Sequence, residues 1–140
     1  MLAAVVPVQN EEKRIRKTLE TLLTLPAGLI IPVINGSCDL SCEIIQKFDS
    51  CKIIPLHYKE TLGIDVPRAI GAHTARNKGA AAVLFLDGDM NGEIKDNLRE
   101  LIQKVEEGVD MALTNCYPAE NMEELSPLAT KLLHVRRCLN

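Results

Sequence analysis

A chain of 140 residues with a net charge of −3 has the length of one domain and lacks the basic excess of a nucleic-acid surface. With two Tyr, two Phe and no Trp it also has few rings on which bases or flat sugar faces could stack. The five cysteines, Cys38, Cys42, Cys51, Cys116 and Cys138, form no Cys-x-x-Cys pair and match no common zinc spacing, which fits a reducing cytoplasm better than a disulfide scaffold. Residues 2–8, rich in Val and Ala, lack the basic flank and cleavage site of a signal peptide and predict a buried first strand closed by Pro7 and Gln9-Asn10. Asn10 is a candidate cap for a first helix, with Glu11 and Glu12 in its opening turn and Ile15, Leu19, Leu22 and Leu23 at helical spacing. Pro26 and Gly28 are expected to end it.

Residues 29–34 predict a second strand, and Pro32 within it suggests an edge position or a bulge because proline removes a ladder donor. The tight turn Asn35-Gly36-Ser37 leads to a second helix, capped by Asp39 or Ser41 and carrying Ile44, Ile45 and Phe48, and then to a short strand over 52–56. A small-residue helix over 66–78 presents Ala69, Ile70, Ala72 and Ala75 for close packing on a sheet, and Gly79 stops it. Residues 81–86 then read as the central strand. Ile94, Leu98, Leu101, Ile102 and Val105 mark the clearest amphipathic helix, ended by Gly108, with a strand over 109–114 after it. Ser126-Pro127 predicts the start of a last helix from Leu128 towards Arg137, whose Leu132, Leu133 and Val135 have no partner in the chain. Strands alternating with helices over residues 1–140 imply a single α/β domain with a mostly parallel sheet and helices on both faces. No run approaches the roughly 20 apolar residues of a membrane span.

The chemistry concentrates at Asp87-Gly88-Asp89. Five apolar residues, Ala82 to Leu86, suit a strand buried on both faces, and the two acids that follow at i, i+2 repel each other unless a cation lies between them. In a doubly wound sheet the loops after the strands share one edge, so this turn joins Pro7-Val8-Gln9-Asn10-Glu11 and Asn35-Gly36-Ser37 in one crevice. The first two loops can hydrogen-bond a base and ribose. The third can hold a metal against a diphosphate, and Arg68 can add a second positive charge.

The run VVPVQNEEKRIRKTLETLL, the turn INGSCD, the RAIGA helix start and the strand LFLDGDM follow one another as in family 2 glycosyltransferases. Over residues 3–114 the chain resembles the donor-binding part of that family. The resemblance implies a Rossmann-like GT-A fold and transfer of a sugar from a nucleotide-diphosphate donor to an acceptor that is a lipid, a glycan or a small molecule. It implies Pro7, Gln9 and Glu11 near base and ribose, with Asn35 and Gly36 in the loop where the family reads the base. It places Arg68 near the phosphates, and Asp87 and Asp89 around the ribose and Mg²⁺ or Mn²⁺, with Asp89 the more direct ligand. Gln9 stands where the family has an aromatic ring, and Asn35 and Ile34 stand where it has acids. The family's acceptor half and catalytic base lie beyond residue 140, so the chain is expected to be the truncated donor half and no base is assigned.

Two other readings compete. An apolar strand before Asp-x-Asp also resembles a haloacid-dehalogenase phosphatase with Asp87 as nucleophile, although Asn91 replaces the usual Thr or Val and few residues follow. A non-catalytic nucleotide-binding or interaction module is the second. His57, His73 and His134 form no triad pattern. The basic cluster Lys13, Arg14, Arg16 and Lys17 is a solvated helix face that leaves peripheral membrane association open, and apolar Leu132 and Leu133 leave homo-oligomer formation open.

Overall fold

Strand order in the sheet is β3-β2-β1-β4-β6-β5, and the first four strands in that order run parallel. The computed structural model describes residues 1–88, 94–116 and 131–137, with side chains as far as residue 113. The elements are β1 (Leu2–Val8), α1 (Ile15–Leu23), β2 (Ala27–Asn35), α2 (Ser41–Gln46), β3 (Leu56–Tyr58), α3 (Asp65–Asn77), β4 (Ala82–Phe85), α4 (Lys95–Glu106), β5 (Met111–Cys116) and β6 (Lys131–Arg137).

Continuous apolar runs form the central strands because both faces of the sheet are covered. On one face Ala4, Val6, Val8 and Leu84 pack with Ile15, Leu19 and Leu22 of α1, Ile45 of α2, and Leu98, Leu101, Ile102 and Val105 of α4. On the other, Ala3, Val5, Ile31, Val33 and Val83 meet α3 through Ala75. The units β1-α1-β2 and β2-α2-β3 step outward with their helices on one face. β3-α3-β4 steps back across β1 with its helix on the opposite face, which keeps these three crossovers of one hand.

Several expectations are corrected by tertiary packing. Residues 131–137 are a strand instead of a helix, paired antiparallel to β4 from Ala82↔Arg137 to Phe85↔His134 and to β5 along its whole length. Pairing with two open strands outweighs the local propensity of a sequence whose only β-branched residue there is Val135. Ser126-Pro127 lies outside the described residues.

β2 is an interior strand, so Pro32 marks neither an edge nor a register shift; the only shift against β1 falls between Leu2 and Ala3. Ile30 bonds the segment before β3 through Lys52 O (2.7 Å) and Ile54 N–H (2.9 Å), and regular pairing with β3 begins at Val33. By the period of two, Pro32 turns its donor-less nitrogen to that same side, into the gap between the two. The third strand is accordingly confined to Leu56–Tyr58, and Ile53 forms an isolated bridge to Ile30.

The packed face of α3 is Pro67, Gly71 and Ala75, whereas Ala69 is exposed. Gly71 sits against the sheet so closely that a Cβ there would overlap Val5 Cγ1 and lie 3.3 Å from Val33 Cγ2. Asn10 is not the cap of α1, which starts at Ile15; it adopts φ 54° in the loop, a left-handed conformation that Asn tolerates. Glu11 and Glu12 therefore belong to the loop, where Glu11 O accepts from Arg14 N–H (3.0 Å) and Ile15 N–H (2.9 Å).

Candidate functional site

The order of strands reverses between β1 and β4, and their carboxyl ends open on the crevice where sheets of this kind take ligands. Leu86 N–H donates to Val5 O (3.1 Å), so the chain leaving β4 stays beside β1 as it enters Asp87-Gly88. At Gly88 a Cβ would stand 3.1 Å from Pro7 O and 3.3 Å from Glu11 Cγ. Glycine lets this turn nest on the end of β1, with Pro7 and Glu11 against Gly88, the residue after Asp87. Asp89 lies outside the described residues.

Asp87 Oδ1 accepts a hydrogen bond from Arg68 Nη2 at 2.6 Å, and Arg68 Nη1 lies 3.8 Å from Asp65 Oδ1. Arg68 comes from the first turns of α3, a helix held on the sheet by Pro67 and Gly71. Their side chains are 29% and 24% exposed, so solvent screens the pair and its contribution to folding is no more than about 1 kcal/mol. Its value lies in position: a guanidinium fork and a carboxylate meet at the mouth of the crevice. Asp87 keeps a second oxygen, Oδ2, beyond this bond.

The loops after β1 and β2 are laced together by side chains taking each other's backbone donors. Ser37 Oγ accepts from Asn10 N–H (3.1 Å), Ser41 Oγ from Glu11 N–H (2.8 Å) and Asp39 Oδ2 from Glu12 N–H (3.0 Å). In return, Asn10 Oδ1 accepts from Cys38 N–H (2.9 Å) and Glu12 Oε2 from Leu40 N–H (3.1 Å). Asp39 also satisfies the start of α2 by accepting from Ser41 N–H at 2.9 Å. Glu11 faces Arg14, with Nε 2.9 Å from Oε2. Thr18 of α1 reaches Gly88 O at 3.5 Å, which ties the helix to the third loop.

Burial opposes the charge on Asp39, but hydrogen bonds from the Ser41 side chain and from the backbone N–H groups of Ser41, Glu12 and Asp39 itself outweigh it, and its carboxyl is held below the usual range. A carboxyl depressed in the folded state stabilises fully above its unfolded value, and that stabilisation is lost as pH falls through the folded value. Acid titration of stability by circular dichroism should therefore show a steeper loss below the ordinary Asp range for the native chain than for Asp39→Asn. Parallel acid limbs would remove Asp39 from this role.

Asn35 and Gly36 end β2 on the far side of β1. Asn35 is 4% exposed, its Nδ2 donating to Gly63 O (2.9 Å) and its Oδ1 accepting from Leu62 N–H (2.7 Å). Gly36 has φ 66°, a conformation that favours glycine, and its N–H donates to Tyr58 O at 3.0 Å. Gln9 is exposed and its Nε2 donates to Thr61 Oγ1 at 3.3 Å. The described residues that sequence reading singled out, Pro7, Gln9, Glu11, Asn35, Gly36, Arg68 and Asp87, thus all stand at one edge of the sheet. It missed Ser37, Glu12 and Thr61 as ordering groups, and it took Asp39 and Ser41 for a helix cap alone. The visible signal was the alternation of polar Ser37, Asp39 and Ser41 after β2, facing Asn10-Glu11-Glu12 across the same edge. His57 and His73 are exposed.

Residues 3–137 match the model of the glycosyl transferase family 2 family, nearly the whole chain. The chain belongs to glycosyl transferase family 2. Among solved structures, its fold is similar to S. aureus TarS residues 1-349 (TM-score 0.70, 20% identity), covering 89% of this chain and 38% of that one. Glucosyl-3-phosphoglycerate synthase from Mycobacterium tuberculosis, solved with Mn²⁺, UDP-glucose and phosphoglyceric acid, superimposes with a TM-score of 0.68 at 14% identity, covering 98% of this chain and 56% of that one. A 4-diphosphocytidyl-2C-methyl-D-erythritol synthase from Anaerococcus prevotii gives 0.69 at 13% identity, covering 98% and 70%. No curated protein sequence matches the chain. At these identities the structures establish the shared α/β fold, GT-A for the glycosyltransferases among them. This family 2 chain spans less than two thirds of the TarS and glucosyl-3-phosphoglycerate synthase chains. Among its described residues no helix is long and apolar enough to cross a membrane.

Proposed function

We propose that the chain is the donor-binding domain of a glycosyltransferase that takes a sugar from a nucleotide-diphosphate donor. The carrying observation is the Arg68–Asp87 pair at the strand-order reversal, 2.6 Å apart and open to the crevice. The guanidinium suits the diphosphate, and the laced loops around Gln9, Glu11 and Gly36 suit the base and ribose. Family membership favours this reading over the dehalogenase phosphatase. Two of the similar structures add support: TarS was solved with UDP and the mycobacterial synthase with UDP-glucose.

The donor set fits Mg²⁺ or Mn²⁺. These ions take hard oxygen ligands, commonly one or two carboxylates together with substrate phosphates instead of an all-protein cage. Among the described residues no three His, Cys, Asp or Glu side chains cluster as such a cage, while Asp87 Oδ2 is a suitable single donor. Asp89 and Asp87 would hold the ion. When bound, it would neutralise charge on the departing diphosphate.

Calorimetric titration with UDP- and GDP-sugars, with and without Mn²⁺, tests the reading. Binding should require the metal for full affinity, and Asp89→Asn should weaken the metal-dependent part about tenfold or more while thermal stability stays unchanged, as expected for loss of a ligand carboxylate. A folded chain that binds no nucleotide, or binds equally well without metal, would reject the assignment.

A further inference from the structure

The side chain of Asn35 is matched to backbone as a neighbouring strand would be: one donor to Gly63 O at 2.9 Å and one acceptor for Leu62 N–H at 2.7 Å. A carboxylate of the same shape could make only the second bond and would set a negative charge against the Gly63 carbonyl. The 59–63 loop leaves β3 at Tyr58, whose O accepts from Gly36 N–H (3.0 Å), and is fixed at one further point where Thr61 Oγ1 accepts from Gln9 Nε2 (3.3 Å). It lies so close to Gly36 that a Cβ there would be 2.6 Å from Thr61 Oγ1 and 2.7 Å from Thr61 N. Asn35 is thus buried beneath this loop, while Gln9 and Thr61 are exposed above the carboxyl ends of the strands.

We propose that Asn35 is a positioning residue that does not itself read a base. It pins the 59–63 loop to the end of β2, so that the Gln9 amide and the Thr61 hydroxyl form the polar edge that meets the base of a bound nucleotide. This rests on the donor-binding reading above and names its specificity-determining pair. A carboxylate in the base site accepts only, which favours the N3–H of uracil over the bare N3 of cytosine. An amide beside a hydroxyl offers both donors and acceptors, so UDP and CDP should bind within about fivefold of each other.

Amide hydrogen exchange without ligand, combined with calorimetry using UDP and CDP, separates the parts. The uncharged Asn35→Ser, too short to span both partners, should speed exchange at Leu62 by about tenfold or more, the loss of roughly one hydrogen bond, and Asn35→Asp, which can keep the Leu62 bond but not the Gly63 one, should speed it less. Both variants should weaken UDP and CDP by a similar factor. Thr61→Val should leave Leu62 protection intact but change the UDP to CDP affinity ratio by about threefold or more, as expected for one base-edge hydrogen bond. If Asn35→Ser leaves Leu62 protected, or Asn35→Asp tightens UDP selectively, the side chain does not act as the brace and the proposal is overturned. An unchanged ratio in both Thr61→Val and Gln9→Ala overturns the reading edge. If the native chain binds neither nucleotide, the donor-binding reading fails and takes the reading edge with it, whereas the Leu62 exchange rates still decide the brace.

Discussion

Gly71→Ala is expected to destabilise the fold by about 1–3 kcal/mol, the usual cost of forcing an extra methyl into a packed contact. In an unobstructed helix interior the same change would stabilise by about 1 kcal/mol, because alanine loses less backbone entropy than glycine. Steric contact decides the sign here. The added Cβ would overlap Val5 Cγ1 and crowd Val33 Cγ2, and both valines are fully buried in strands at the centre of the sheet. Neither can move without disturbing the pairing of β1 with β2. Ala69, two residues earlier on the same helix, is exposed, so Ala69→Gly should cost about 1 kcal/mol by propensity alone. Urea unfolding of the two variants would test both: alanine should lower the midpoint at 71 and raise it at 69, with the m-value unchanged. A more stable Gly71→Ala protein would mean that α3 rides further from the sheet than the contact with Val5 requires.

The consequence extends to the site, because α3 carries Arg68 one turn before Gly71. How far the helix stands from the sheet sets how far the guanidinium reaches towards Asp87. This coupling also explains what the sequence could disclose. Strands β1, β2 and β4 were legible because burial on both faces requires unbroken apolar runs, and α4 because its apolar residues recur at helical spacing. The close approach at Gly71 was not legible, since a glycine among alanines shows no sign of the valines it will meet. β6 was missed because its structure depends on the unfilled edges of β4 and β5, which no local pattern encodes. At the site, the ends of strands announced themselves as Gln9-Asn10-Glu11, Asn35-Gly36-Ser37 and Asp87-Gly88. The bonds that order them did not, for Asn10 to Ser37 and Glu11 to Ser41 are separated by 27 and 30 residues. Sequence shows such groups as separate polar residues, and only the topology of the sheet makes them partners.

Arg68→Met should weaken binding of a nucleotide diphosphate by about 10–100-fold, the scale of one or two charge-assisted hydrogen bonds, while changing stability by less than about 1 kcal/mol. The two effects differ because they have different reference states. In the free protein the Arg68–Asp87 pair is partly solvated, and water replaces much of what the pair provides. In the complex the diphosphate would stand near a carboxylate, and loss of the cation would leave like charges facing each other in a less hydrated crevice. Arg68→Lys should recover only part of the affinity, since an ammonium lacks the planar fork that lets a guanidinium engage Asp87 Oδ1 through Nη2 at 2.6 Å and still offer other N–H groups to phosphate. Combining Arg68→Met with Asp87→Asn gives a double-mutant cycle whose coupling energy in binding should be about 0.5–3 kcal/mol, as for residues in direct contact. Calorimetry at low and at physiological salt would read it, with the native chain showing the stronger salt dependence. Strict additivity of the two substitutions would mean that arginine and aspartate meet the ligand independently, and that their contact in the free protein only keeps the guanidinium in place until a diphosphate arrives.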